Sequence, residues 1–197
     1  MKNLNFVSEN SLELISVAEK VSLPLTAEVR EVIRSMIQFI NTLPSPYGKP
    51  AGLAAPQVGI SLSIALIQIP PEAKLRRKDV YDTWPLTVLI NPRYEPILSE
   101  GKSLDWEACY SLPLQMGEVS RYNAIRYEAH TLKNGHLVRI AGEARGFLSR
   151  ALQHEIEHLS GKLYKDLLTD NSRFGNFDEM WAIRQSEFEA RDLLDKK

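Results

Sequence analysis

The residues best able to do chemistry lie late in the chain, where Gln153-His154-Glu155-Ile156-Glu157-His158 forms an H-E-x-x-H motif. On a helix, histidines four residues apart lie one turn on, so both imidazoles share a face and can hold one metal ion. Glu155, beside the first of them, can then reach a water at that ion as general base. The competing reading of the same residues is two histidines on a solvated helix face. A third ligand decides the class. The extended zinc-peptidase form H-E-x-x-H-x-x-G-x-x-H needs a histidine where this chain has Tyr164, although Gly161 does fall at its glycine position. The other two histidines are His130 and His136, so the remaining ligand is expected from elsewhere. The single cysteine, Cys109, reads either as a small buried apolar residue or as a soft thiolate ligand for a transition metal. One cysteine excludes an intramolecular disulfide and a multi-cysteine zinc knuckle.

These groups need elements to carry them. Phe147, Leu148, Ala151, Leu152, Ile156 and Leu159 recur at helical spacing around the motif, and Gly161 stands where that helix would stop. Thr26, after Pro24, is an N-cap for a helix over 27–42 with the apolar stripe Val29, Ile33, Met36, Ile37 and Ile40. Residues 43–50 break it as a loop, and the small residues of 51–59 permit close backbone approach by a ligand or another segment. Strands are predicted over 60–69, 86–90, 94–98 and 120–132, the last turning at Asn134-Gly135 into 137–140. The basic run Lys74-Leu75-Arg76-Arg77-Lys78 reads as a solvated loop rather than a binding patch. A last helix over 178–194 carries Met180, Trp181, Ile183, Phe188 and Leu194. Strands grouped in the middle with helices at both ends predict an α+β fold, its antiparallel strands packed around the motif helix.

Composition sets the outer bounds. The chain has 197 residues, 44% apolar and 25% charged, enough for one domain over 1–197 with an ordinary globular core. A formal net charge of −1 offers no bulk attraction to nucleic acid or acidic membrane. No apolar run suffices to span a bilayer. The first residues hold no apolar stretch of signal-peptide length and include Glu9, so the cytoplasm is the expected location.

Three separated motifs resemble those of the peptide deformylases, which remove the formyl group from the N-terminal methionine of new proteins. Gly52-Leu53-Ala54-Ala55-Pro56-Gln57 resembles the last six positions of the family's G-φ-G-φ-A-A-x-Q, where φ is apolar. Glu107-Ala108-Cys109-Tyr110-Ser111 resembles E-G-C-x-S, and Gln153 to His158 resembles Q-H-E-x-D-H, all in the family's order over about 26–168. Residues 169–197 then form a C-terminal helical extension. The resemblance implies Cys109, His154 and His158 as ligands of one divalent ion, usually ferrous iron, with zinc, nickel or cobalt as alternatives. It implies Glu155 as general base, and the Gln57 amide with the Tyr110 backbone N–H as donors to the formyl oxygen. Gly52 and Ala51 would line the substrate region, and Glu107 would pair with Arg121. The partners so implied are N-formylated peptides, including chains still on the ribosome, with no direct nucleic-acid or membrane contact. A monomer or weak dimer is expected.

The departures from the pattern raise a second expectation. Against the family's pattern, Pro50, Ala108 and Glu157 replace a glycine, a glycine and an aspartate, and Ala51 stands where an apolar residue usually touches the substrate. Arg150, one turn before His154, and Asp105 stand where the pocket for the first side chain is usually apolar. One reading makes that pocket polar, so that Arg150 selects an acidic side chain or another N-acyl compound. The other pairs Arg150 with Asp105 or turns both to solvent, leaving methionine acceptable. A non-catalytic metal-binding homologue would need neither Glu155 nor Gln57.

Overall fold

A computed structural model describes residues 3–43 and 49–194. Part of the predicted 43–50 loop, residues 44–48, therefore lies outside the described residues. The helices are α1 (Leu12–Ile15), α2 (Ala27–Thr42), α3 (Gly146–His158) and α4 (Phe177–Leu194). The strands are β1 (Gly52–Ala54), β2 (Ile64–Ile69), β3 (Trp84–Pro96), β4 (Lys102–Ala108), β5 (Gln115–Tyr122), β6 (Ala124–Lys133), β7 (His136–Arg145) and β8 (Phe174–Asn176). Five strands form one sheet in the order β1-β2-β3-β6-β7, three form another in the order β4-β5-β8, and every pair is antiparallel.

The large sheet is covered on both faces, which is why all six residues of β2 are buried. Successive side chains of a strand point to opposite faces. Ala65, Ile67 and Ile69 accordingly meet Leu148, Ala151, Leu152 and Ile156 of α3, while Ile64 and Leu66 meet Ile33, Met36 and Ile40 of α2. The predicted bounds of α2 hold, with the Thr26 side chain accepting from the Val29 N–H at 3.3 Å.

Helix α3 lies between the two sheets. Its second side is tied to β5 by polar groups. The buried Gln153 amide takes the Tyr122 N–H at 3.0 Å and donates to the Tyr122 carbonyl at 2.9 Å. The Ser149 hydroxyl donates to the same carbonyl. A helix gripped by core packing on one side and by a strand's backbone on the other has a fixed rotation, and that rotation aims the two histidines.

The strand predictions need correction. Residues 86–90 and 94–98 are not two strands but parts of β3, whose pairing slips near Asn91, held at φ 49°. The predicted strand over 120–132 is two, β5 and β6, in different sheets. They part at Asn123, whose side chain donates to the Glu100 carbonyl at 2.8 Å. The hairpin stands at Asn134-Gly135, both with positive φ as the tight turn requires, and β7 runs on to Arg145. The strand predicted over 60–69 begins only at Ile64, and strands β1, β4 and β8 and helix α1 were not predicted.

Candidate active site

Helix α3 presents His154 and His158, and the loop after β4 presents Cys109. The donor atoms of these three side chains lie within 4.8 Å of one another. Cys109 Sγ is 3.3 Å from His158 Nε2, which is 3.2 Å from His154 Nε2. A tetrahedral ion with metal–nitrogen bonds of about 2.0 Å and a metal–sulfur bond of about 2.3 Å would set its donors roughly 3.3 to 3.6 Å apart. The set fits one transition-metal ion in both spacing and softness. The second nitrogen of His154 faces Glu107 Oε2 at 3.0 Å, a contact that turns Nε2 toward the cluster. Buried His158 Nδ1 has no hydrogen-bond partner. Tyr164, at the place of the absent third histidine, is buried with its ring centroid 6.2 Å from that of His154.

Electrostatics bind the cluster together. Burial pushes the Cys109 thiol up, but the adjacent His158 and hydrogen bonds from both imidazoles outweigh it, holding the thiol well below its usual range. Burial lowers His154, yet Cys109 and Glu107 raise it well above the ordinary imidazole value. The two shifts together favour a thiolate at Cys109, the form of sulfur that ligates metals.

Glu155 is buried beside these groups, and its Oε2 has no hydrogen-bond partner. Burial raises its pKa to about 7, against the lowering effect of the two histidines. A carboxylate so placed is a competent proton carrier near neutrality. Its room comes from Gly52. A Cβ on that residue would sit 2.5 Å from the Glu155 carboxyl carbon, so only glycine lets β1 pass there.

Gln57 is 3% exposed, and both ends of its amide are engaged. Its Oε1 accepts from the Ala54 N–H at 2.8 Å, which fixes the amide so that Nε2 points to Cys109 Sγ at 3.2 Å and Ser111 Oγ at 3.1 Å. Tyr110 follows Cys109 and lines the same cleft. Its ring stacks on Phe6 at 5.2 Å between centroids, while the Val7 N–H donates to the Gln57 carbonyl at 3.0 Å. The weakly patterned N-terminal arm therefore braces both residues, and no periodicity announced it.

A cleft of about 490 Å³ opens onto these groups. Ala51, Gly52, Phe147 and Ala151 line it beside Cys109 and Glu155. From α4, the C-terminal extension, Phe177, Trp181 and Arg184 form part of its wall.

This geometry does not favour Arg150 as the reader of an acidic substrate. It is 4% exposed and fully engaged, with Nη1 on Glu107 Oε1 at 2.7 Å and on the Val119 carbonyl at 3.0 Å, and Nη2 on the Ser103 carbonyl at 2.9 Å. Asp105 lies 4.0 Å from Arg150 Nε but bonds to Arg77 Nη2. The polar residues of the side-chain pocket thus satisfy one another. Arg121 grips Glu107 through two bonds of 2.8 and 2.9 Å and also reaches Glu157, which accepts from the Tyr94 hydroxyl at 3.0 Å. The longer Glu157 keeps its place in that network. Of the basic run, Lys74, Leu75 and Lys78 are exposed as a solvated loop would be, but Arg76 and Arg77 line the cleft and Arg77 stacks over the Phe147 ring at 4.3 Å.

Fold and cleft together define a hydrolase class: an α+β scaffold with its H-E-x-x-H helix held between two sheets. The sequence matches the polypeptide deformylase family model over residues 4–174, and the chain belongs to that family. It is 38% identical to peptide deformylase 2 of Rickettsia conorii over 198 residues, covering 96% of this chain and 92% of that one. The fold resembles a peptide deformylase from Synechococcus elongatus in complex with actinonin, with a TM-score of 0.66 at 29% identity over 85% of this chain and 80% of the other. It also resembles the Met-Ala-Ser-bound class I type b peptide deformylase from Acinetobacter baumannii, with a TM-score of 0.67 at 25% identity over 84% and 98%. The chain is accordingly a deformylase, the family is metal-dependent, and selection of a different acyl substrate by Arg150 is not favoured. No helix among the described residues is long and apolar enough to cross a membrane.

Proposed function

We propose that this protein hydrolyses the formyl amide at the N-terminal methionine of newly made polypeptides, with Cys109, His154 and His158 holding ferrous iron. Nickel, cobalt or zinc would suit the same ligands. The observation that carries the reading is the unpartnered Glu155 carboxylate and the fixed Gln57 amide in one cleft with the Cys-His-His cluster. A structural metal site needs neither.

The ion would supply Lewis-acid polarisation and an activated water. The chain's own groups do the rest. A Glu155 oxygen accepts a proton from the attacking water and delivers it to the departing amine nitrogen as the C–N bond breaks. Formate and a free N-terminus result. Gln57 Nε2 and the Tyr110 N–H donate to the formyl oxygen as its negative charge grows. Glu107 holds His154 in orientation, and Arg121 and Arg150 hold Glu107. The close passage of Gly52 against Glu155 leaves a narrow approach that suits a formyl hydrogen better than an acetyl methyl.

The Acinetobacter relative carries Met-Ala-Ser, a peptide with the free N-terminal methionine that such a reaction would leave. With Arg150 turned onto Glu107, a methionine side chain meets Phe147 and Ala151. The substrate implies the cytoplasm as the place of action and nascent chains as partners. Formate release by protein loaded anaerobically with ferrous iron tests this, on N-formyl dipeptides with Met, Leu, Glu, Asp or Lys first. Formyl-Met is expected to be turned over fastest. Preference for formyl-Glu or formyl-Asp, or silence on the whole panel with metal bound, would overturn the reading.

A further inference from the structure

Besides the exposed Lys49, two cations of the cleft have no use in the chemistry above. Arg76, after β2, and Arg184, on α4, line it with Arg77 and Arg150. Arg77 is neutralised by Asp79 and Asp105, and Arg150 by Glu107. Among the described residues, neither Arg76 nor Arg184 makes an ion pair. Arg184 Nη2 donates to the Arg76 carbonyl at 2.9 Å, and its guanidinium lies 4.9 Å from the Trp181 ring centroid. In both side chains Nη1 is buried without a hydrogen-bond partner. A buried, unpaired guanidinium donor is costly. Burial and the charge of Arg77 work against the charged form of Arg184, as does that of Arg76, while Asp105 and Asp79 favour it without outweighing them. An anion between the two would relieve all of this. Glu72, exposed on the same wall, makes no ion pair with either.

We infer that Arg76 and Arg184 form an anion subsite in the cleft that takes a carboxylate of the peptide beyond its formyl-methionine. The inference rests on the deformylase reading for the identity of the ligand. It deepens that reading by assigning a preferred substrate class, short or acidic formyl-methionyl peptides. The planar forks of two arginines suit a carboxylate held by two bonds. The carboxylate has two sources, a downstream acidic side chain or the peptide's own C-terminus.

The test uses the full-length, metal-loaded protein and four peptides: formyl-Met-Ala-Gln-amide, formyl-Met-Glu-Ala-amide, formyl-Met-Ala-Glu-amide and formyl-Met-Ala-Gln with a free carboxylate. At least one of the three carboxylate peptides is expected to exceed the neutral one about tenfold in kcat/KM, mainly through KM. The second and third point to a side chain, the fourth to the C-terminus. The ratio should shrink as salt rises from roughly 0.05 to 0.5 M. It should approach one in Arg76→Gln and in Arg184→Gln, with part of it kept in Arg184→Lys. A ratio near one in the unmodified protein would overturn the proposal, as would a ratio unchanged in both glutamine variants. Calorimetric binding of Met-Ala-Glu-amide against Met-Ala-Gln-amide reads the subsite without turnover. Tighter binding of the acidic peptide with no formate release would keep the subsite and overturn the deformylase reading. Formate release without either preference would do the reverse.

Discussion

Replacing Glu107 by glutamine should cost both stability and metal affinity. Its Oε1 accepts from Arg121 Nε at 2.8 Å and Arg150 Nη1 at 2.7 Å, and its Oε2 accepts from Arg121 Nη2 at 2.9 Å and faces His154 Nδ1 at 3.0 Å. The three side chains Glu107, Arg121 and Arg150 are 6%, 2% and 5% exposed, so the variant leaves two desolvated guanidinium groups facing an amide. Breaking a buried pair from one side costs about 3 to 5 kcal/mol. Arg121 retains Glu157, and Arg150 retains two carbonyls, which favours the low end, about 3 kcal/mol. Loss of the acceptor behind His154 should weaken the metal a further ~10- to 100-fold. Burial pushes Glu107 up, but Arg121 outweighs it and holds the carboxyl well below 4.5. This contribution is therefore complete above the unfolded value and fades as the pH falls through the folded one. Urea unfolding of the metal-free proteins should show the full difference at neutral pH and a smaller one in acid. A difference under about 1 kcal/mol at neutral pH, or one that grows toward acid, would refute the reasoning.

Three other perturbations have defined outcomes. Gly52→Ala drives a Cβ to 2.5 Å from the Glu155 carboxyl carbon, so thermal unfolding should show a loss of about 1 to 3 kcal/mol, with formate release reduced in parallel. Gln57→Leu should lower kcat about 10²- to 10³-fold, measured with saturating formyl-Met peptide, because it removes one donor to the developing oxyanion. In metal-free protein, burial holds Glu155 near 7 against 4.5, so the unfolded chain ionises first and stability falls as pH rises between those values. The fall amounts to about 3 kcal/mol, and urea titrations of Glu155→Gln should show it flattened.

Local signals in the sequence found what local rules control. The Thr26 cap, the Asn134-Gly135 turn and the apolar spacing of the motif helix each follow from a few adjacent residues, and each stands where it was expected. Membership of a sheet is decided at long range. Residues 120–132 look like one strand because β-forming residues run on through Asn123, yet pairing with β4 on one side of that bend and with β3 and β7 on the other puts the halves in different sheets. Strand β4 escaped notice because Lys102, Ser103 and Leu104 are exposed, and no alternation marks it.

The site divides in the same way. Motif spacing brought out Glu155, His154 and His158, and only the resemblance to the family joined Cys109 to them. The direction of a long side chain depends on what waits for it. Arg150 is drawn to Glu107 and two carbonyls, an arrangement set by residues 31 to 47 positions away in sequence. The same holds for the N-terminal arm behind Gln57 and Tyr110, and for Arg76, which meets α4 across 108 positions.

The most direct test of the account compares formate release from formyl-Met-Ala-Ser with hydrolysis of acetyl-Met-Ala-Ser, by iron-loaded protein and by Glu155→Gln at equal metal content. The account predicts turnover of the formyl peptide alone, and a loss of about 10²-fold or more on removing the carboxylate. Equal cleavage of both peptides, or an undiminished rate in the glutamine variant, would contradict it.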